Sequence, residues 1–301
     1  MDTLLKTGTN SIILGKNNYE KYIPYVENKL LKLTKIIKNH DEYKNLSKIR
    51  EISNYNNYYS IPEEVSYLLN PKDNFYIVVK KLVENYDINI FGSTISCSYV
   101  SYAGNKDLYE TIIDIDELSD FSLWRSYQKI IEFTETILKA INYLHQNKIC
   151  HLDIKPENIV INTCSFTFKI IDFGFSSIEP FNDFVKDMRG SSGYFPHQLS
   201  IENPKPFLPL IKANDMIKSN GTFPFQKNRN LIYKIDSYCF GRVLYYLKYI
   251  YKENRIYYAQ PFVLERKQEY ALDNIIDDLL ENNVHKRLTI EKCLMTHFGT
   301  V

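Results

Sequence analysis

His151-Leu152-Asp153-Ile154-Lys155-Pro156-Glu157-Asn158-Ile159-Val160, followed eleven residues on by Ile171-Asp172-Phe173-Gly174, is the stretch on which the reading of this chain turns. It sets an aspartate, a lysine, an asparagine and a second aspartate at the spacing that phosphoryl transfer needs. One carboxylate, Asp153, can accept a hydroxyl proton, and Lys155 can lie along the transferring phosphate. An amide oxygen from Asn158 and a second carboxylate from Asp172 can hold a divalent cation across nucleotide phosphates. A solvated turn after a helix is the bland alternative, and it requires none of these four residues at these offsets.

The stretch resembles the catalytic loop of the eukaryotic-type protein kinases, and its H-x-D-x-K-x-x-N form resembles their Ser/Thr branch. The resemblance implies that Asp153 orients the acceptor hydroxyl and takes its proton, and that Lys155 neutralises charge on the γ-phosphoryl group of ATP. Asn158 and Asp172 would bind Mg²⁺. His151 is read as a packing residue of this motif. Leu152 stands where many family members have an arginine that pairs with a phosphorylated activation loop. Activity is therefore expected not to wait for such a phosphate. Arg189-Gly190-Ser191-Ser192-Gly193-Tyr194-Phe195-Pro196-His197-Gln198 resembles the family's G-T-x-x-Y-x-x-P-E stretch, with Ser192 at the small hydroxyl that helps hold the aspartate and lysine. Gln198 replaces the usual glutamate, whose expected partner here is Arg287; a neutral hydrogen bond is weaker than that ion pair by roughly 1 kcal/mol. Asp236-Ser237-Tyr238-Cys239-Phe240-Gly241 matches the family's D-x-W/Y-S-x-G helix start, which implies that Asp236 accepts backbone N–H bonds from the catalytic loop. The segment 199–234, rich in Pro, Asn and Lys, exceeds the usual connection there and reads as an insertion.

Upstream the resemblance thins. Tyr99-Val100-Ser101-Tyr102-Ala103-Gly104-Asn105-Lys106-Asp107-Leu108 resembles the family's hinge, although an edge strand followed by a turn would look similar. As a hinge, the backbone groups of Ser101 and Ala103 would pair with adenine, Val100 would close the back of the pocket, and Asp107 could reach the ribose. A full glycine-rich loop is missing: Thr7 to Gly15 keeps Gly8, but Asn10 and Ile13 stand where other glycines would fall. Backbone approach to phosphates tolerates glycine best, so either nucleotide is held less closely or this loop is not the phosphate cover. For the lysine that touches the α- and β-phosphates, Lys35 most resembles the arrangement in the compact protein kinases of large DNA viruses. Lys32 and Lys29 remain open. Glu42 is the candidate glutamate to pair with it; a first-turn glutamate favoured by the helix dipole is the alternative.

The chain has 301 residues, more than one ordinary core needs, and 44% are hydrophobic. A net charge of +1 argues against a broad electrostatic footprint for nucleic acid or anionic membrane. No apolar stretch approaches the ~20 residues of a bilayer span. Met1 to Lys6 lacks a signal-peptide apolar region. Cys97, Cys150, Cys164, Cys239 and Cys293 show no C-x-x-C spacing, so reduced thiols are expected and zinc is not. A monomeric cytoplasmic protein is the expectation, within a host cell if the source is viral.

Periodicity predicts strands at Ser11 to Leu14, Leu30 to Ile36, Phe75 to Val79 and Cys97 to Val100, and a helix from Asp41 to Ile52. After Gly104 helices dominate: Ser122 to Asn147, Lys234 to Tyr251, Asp273 to Leu280 and Thr289 to His297. Two short strands, Asn158 to Ile161 and Phe166 to Ile171, lie among them. The class expected is α+β with a bilobal protein-kinase-like fold: a β-rich lobe over 1–103 and a larger helical lobe over 104–301. The function implied is ATP- and Mg²⁺-dependent transfer to Ser or Thr hydroxyls of protein substrates, without nucleic-acid or membrane partners. A pseudokinase scaffold is favoured by the eroded loop and Gln198 and opposed by intact Asp153, Lys155, Asn158 and Asp172. A small-molecule phosphotransferase of related fold would share H-x-D-x-x-x-x-N, but Lys155 and the Gly190 to Tyr194 segment with Asp236 fit protein substrates better.

Overall fold

The computed structural model describes residues 4–7, 11–14, 32–37, 46–53, 55–61, 67–69, 95–101, 104, 106–113, 127–186, 190–191, 193–196, 218, 221–257 and 266–300. The chain divides into two compact units, one comprising Met1–Glu51 and Ser60–Tyr102, the other Ile52–Tyr59 and Ala103–Val301.

The first unit is built on an antiparallel sheet. Its strands are β1 (Leu4–Thr7), β2 (Ser11–Leu14), β3 (Lys32–Ile37), β4 (Tyr67–Leu69) and β5 (Ile95–Ser101), in the order β1-β2-β3-β5-β4. β3 lies between β2 and β5, pairing Lys35 with Ser98 and Lys32 with Ser101. A short helix, Leu46–Glu51, buries Leu46 and Ile49, which share one face at a spacing of three. The expected strand over Phe75 to Val79 and the first residues of the expected 41–52 helix lie outside the described residues.

The second unit is mainly helical. The long helix Tyr127–Gln146 buries Ile130, Phe133, Ile137, Leu138, Ile141 and Leu144. That spacing is the apolar stripe of a helix with one face in a core. The Phe133 ring meets Phe168 at 5.0 Å and Phe240 at 6.1 Å between centroids, so one side chain joins the long helix to a strand and to the central helix. Burying each such ring contributes roughly 1.5–3 kcal/mol. The central helix, Tyr233–Tyr257, is covered on most sides over its first four turns, from Ile235 to Leu247. Gly241 lets it approach the helix Arg266–Leu280, because a Cβ there would lie 2.8 Å from the Leu280 side chain. Lys248 and Asp273 form an ion pair between the same two helices. Thr289 caps the last helix, Ile290–Phe298, by accepting the Lys292 N–H.

Two small antiparallel sheets carry the loops of chemical interest. β6 (Lys106–Asp107) pairs with β8 (Ile159–Asn162), which pairs with β9 (Thr167–Ile170); β7 (Ile149–Cys150) pairs with β10 (Ser177–Ile178). Gly104 stands where a Cβ would lie 2.2 Å from the Ile161 carbonyl oxygen, so glycine is required for the chain to pass β8. The 199–234 segment is not structureless at its far end. Pro224–Lys227 is a short helix and Arg229–Leu231 a 3₁₀ turn, with Phe225 and Leu231 buried.

Candidate active site

The loop between β7 and β8 carries His151, Asp153, Lys155 and Asn158, and hydrogen bonds fix each in turn. Both oxygens of the fully buried Asp236 carboxylate face it. Leu152 N–H donates to Oδ1 at 2.7 Å and His151 N–H to Oδ2 at 2.8 Å. His145 Nε2 lies 2.9 Å from Oδ2, and since a carboxylate only accepts, that nitrogen is the donor. The backbone-accepting role implied for Asp236 is thus its geometry in the structure. The resulting bend puts Leu152 at φ +65°.

His151 uses both ring nitrogens. Nε2 donates to the Ile171 carbonyl (3.1 Å), Nδ1 accepts from the Asp153 N–H (3.3 Å), and the ring meets Phe173 edge-on at 4.8 Å. It is a buried strut. Through it and the Ile171 N–H, which donates to the Asn158 carbonyl at 3.0 Å, the Asp172 segment is tied to the loop between β7 and β8.

Asp153 is only 7% exposed. Its Oδ2 accepts from Asn158 Nδ2 at 3.0 Å and lies 3.0 Å from Lys155 Nζ. Its Oδ1 is buried with no hydrogen-bond partner. Asn158 Nδ2 also donates to the Asp153 carbonyl at 2.8 Å, which leaves the amide oxygen as the end of that side chain able to ligate a cation. Asp172 is exposed, at φ +62°, next to the tethered Ile171. An amide oxygen and a carboxylate are the hard oxygen donors that suit Mg²⁺.

Lys155 Nζ also donates to Ser191 Oγ at 2.7 Å. Ser191 thus places a hydroxyl beside the lysine; Ser192, expected there from sequence, lies outside the described residues. Adjacent serines give the sequence no means to separate them. Arg287 is fully buried, donating to the carbonyls of Glu281 and Lys234 and standing 4.8 Å over the Tyr238 ring. Its expected partner, Gln198, is also outside the described residues.

Asp107 has a use that the sequence reading missed. Its Oδ1 accepts the Glu110 N–H at 2.7 Å while Glu110 Oε2 accepts the Asp107 N–H at 2.9 Å, a reciprocal cap on the helix Leu108–Ile113. The D-L-Y-E order, with an acid three residues after Asp107, was the available signal. Lys32 and Lys35 both belong to β3, and Ser101 ends β5. Gly8, Lys29, Glu42 and Ala103 lie outside the described residues.

His145, Cys150 and Asp236 present potential ligand atoms within 4.8 Å of one another. Burial pushes the Cys150 thiol well up, aided by the nearby Asp236 charge, so it keeps its proton. With Asp236 already accepting N–H bonds, the cluster is a hydrogen-bonding hub.

The protein kinase domain model matches residues 32–204. Among curated relatives, the chain is 37% identical over 95 residues to the carbon catabolite-derepressing protein kinase of Saccharomyces cerevisiae, covering 32% of this chain and 14% of that protein. It is 28% identical over 164 residues to serine/threonine-protein kinase dkf-1 of Caenorhabditis elegans, covering 52% and 20%. To NUAK family SNF1-like kinase 2 of Rattus norvegicus it is 32% identical over 146 residues, covering 46% and 22%. The chain thus spans about a seventh to a fifth of the length of these relatives.

Proposed function

Because this chain belongs to the protein kinase family, we propose that it is an active serine/threonine kinase with Asp153 as its catalytic base, Asn158 and Asp172 holding Mg²⁺, and ATP as phosphoryl donor. One observation carries the reading. Asp153 has one oxygen engaged by Asn158 and Lys155 and the other buried without a partner, a cost that a folded protein normally avoids. An incoming hydroxyl would supply the missing donor, and its proton would pass to that oxygen. Lys155, tied to Ser191, is held beside the same carboxylate, where it would offset charge on the transferring group. When bound, MgATP supplies the γ-phosphoryl group and the cation that neutralises its oxygens. The Ser/Thr preference is supported by Lys155 in the family's H-x-D-x-K-x-x-N form and by the similarity to serine/threonine-protein kinase dkf-1 of Caenorhabditis elegans. Lys35 and Glu42 are proposed as the phosphate lysine and its partner, Gly8 as part of the phosphate cover. Ser101 and Ala103 would contact adenine, and Asp107 the ribose edge, in addition to capping its helix.

The test is transfer of the ATP γ-phosphate to a generic basic protein by the wild type and by Asp153→Ala. Removing a general base should lower transfer by about 10²–10⁴-fold while nucleotide binding persists. Equal rates in the two proteins would refute the assignment. ATP binding without transfer by the wild type would favour a scaffold of kinase fold.

A further inference from the structure

Arg242 sits in the middle of the central helix, 2% exposed, between residues that are themselves buried. A guanidinium there is costly unless its N–H groups are used. Packing alone does not call for one, since Val243 and Leu244 fill the next positions of the same helix. Its Nε–H donates to the Gly193 carbonyl at 2.9 Å, and its carbon lies 5.9 Å from the Tyr245 ring centroid. Burial draws its pKa down, while the Tyr238, Tyr194 and Tyr245 phenols push it back up.

What Arg242 holds is a turn next to the chemistry. The N–H groups of Tyr194 and Phe195 both donate to the Ser191 carbonyl, at 3.2 and 3.0 Å. Ser191 in turn receives the Lys155 ammonium. Gly190 admits no side chain, because an added Cβ would fall 2.1 Å from the Phe195 ring, so the turn has little freedom to reshape. A continuous path therefore runs from the central helix through Gly193 and the Ser191–Phe195 turn to Lys155 and Asp153.

We propose that Arg242 is a positioning residue for the protein substrate, its Nε–H anchor on Gly193 fixing segment 190–196 as the wall beside the acceptor hydroxyl. This rests on the protein kinase reading above. ATP is not expected to feel the anchor directly.

Arg242→Met removes the N–H groups but keeps an unbranched apolar body, and Arg242→Lys restores the charge without the fork. Losing the charge-assisted bond to Gly193 should speed amide exchange at Tyr194 and Phe195 by about tenfold, with Val243 to Leu247 within about twofold of wild type. KM for the acceptor protein should rise about tenfold in Arg242→Met and less in Arg242→Lys, with KM for ATP changed by less than about twofold. Unchanged exchange at Tyr194 and Phe195, equal acceleration along the central helix, or equal rises in both KM values would overturn the proposal. Failure of the kinase reading would look different. The wild type would then transfer no phosphate, removing the substrate role, while the exchange measurement would still read the anchor.

Discussion

Leu152, at φ +65°, holds a left-handed backbone that costs a non-glycine residue roughly 1–3 kcal/mol and persists only when its surroundings over-determine it. The Asp236 carboxylate is that surrounding, accepting N–H bonds from both His151 and Leu152 in a site closed to water. Asp236→Asn keeps the shape but turns one accepting oxygen into a donor facing an N–H. Hydrogen bonds to charged groups contribute about 1.5–3 kcal/mol, and each kcal/mol moves Tm by about 2–4 °C in a domain of this size. Thermal unfolding of Asp236→Asn should therefore show a midpoint roughly 3–12 °C lower, with phosphate transfer falling alongside as the loop loosens. An unchanged midpoint would mean the bend is held by something else. The role of Asp236 was legible through the resemblance of Asp236-Ser237-Tyr238-Cys239-Phe240-Gly241 to the protein kinases' helix start, which implies a carboxylate accepting N–H bonds from the loop. The Ser191 contact to Lys155 was not legible, since two adjacent identical side chains look alike in sequence.

The elements that sequence could not name are those too short to show a period. Asn182–Lys186 and Pro224–Lys227 span five and four residues, well below the length at which an isolated helix is stable. Aromatic packing holds them. Phe184 meets Phe225 at 5.7 Å and Phe195 at 6.2 Å, Phe223 stacks on Phe225 at 5.3 Å, and Phe181 meets Tyr233 edge-on at 5.1 Å. The long helix 127–146, from its apolar stripe, and the central helix 233–257, from being apolar on most sides, were by contrast read correctly in type, the central helix running on to Tyr257 past the expected end at Tyr251. Phe225 is 2% exposed, and truncating a buried phenylalanine costs about 3–5 kcal/mol. In Phe225→Ala that loss should fall on the local cluster, so limited proteolysis within 181–196 should accelerate by at least about tenfold while the central helix resists cleavage. Phe225→Leu should recover most of the protection. Cleavage of the segment at the wild-type rate would show that the ring does not hold it.

Across the whole molecule, the residues most legible in sequence are those whose chemistry lies within one continuous stretch. Asp153, Lys155 and Asn158 occupy six consecutive positions, so their offsets encode their geometry directly. The phosphate lysine must be matched across strands and loops, and Lys29, Lys32 and Lys35 satisfy the local pattern almost equally. A further consequence concerns how the segment from Asp172 to Pro196 is kept in place. In kinases with an arginine before the catalytic aspartate, a phosphate on this segment draws it in. Here that position is a fully buried leucine, and the described parts of the segment are held by the Arg242 bond to Gly193 and by the phenylalanine cluster. These contacts are present without any added charge. Enzyme stripped by a broad phosphatase, and verified as unmodified by intact-mass measurement, should then transfer phosphate within about twofold of the untreated protein, since no charge-assisted bond is lost. A loss of about tenfold or more, restored by incubation with ATP, would show that a phosphate orders the segment after all and that its cationic partner lies somewhere other than Leu152.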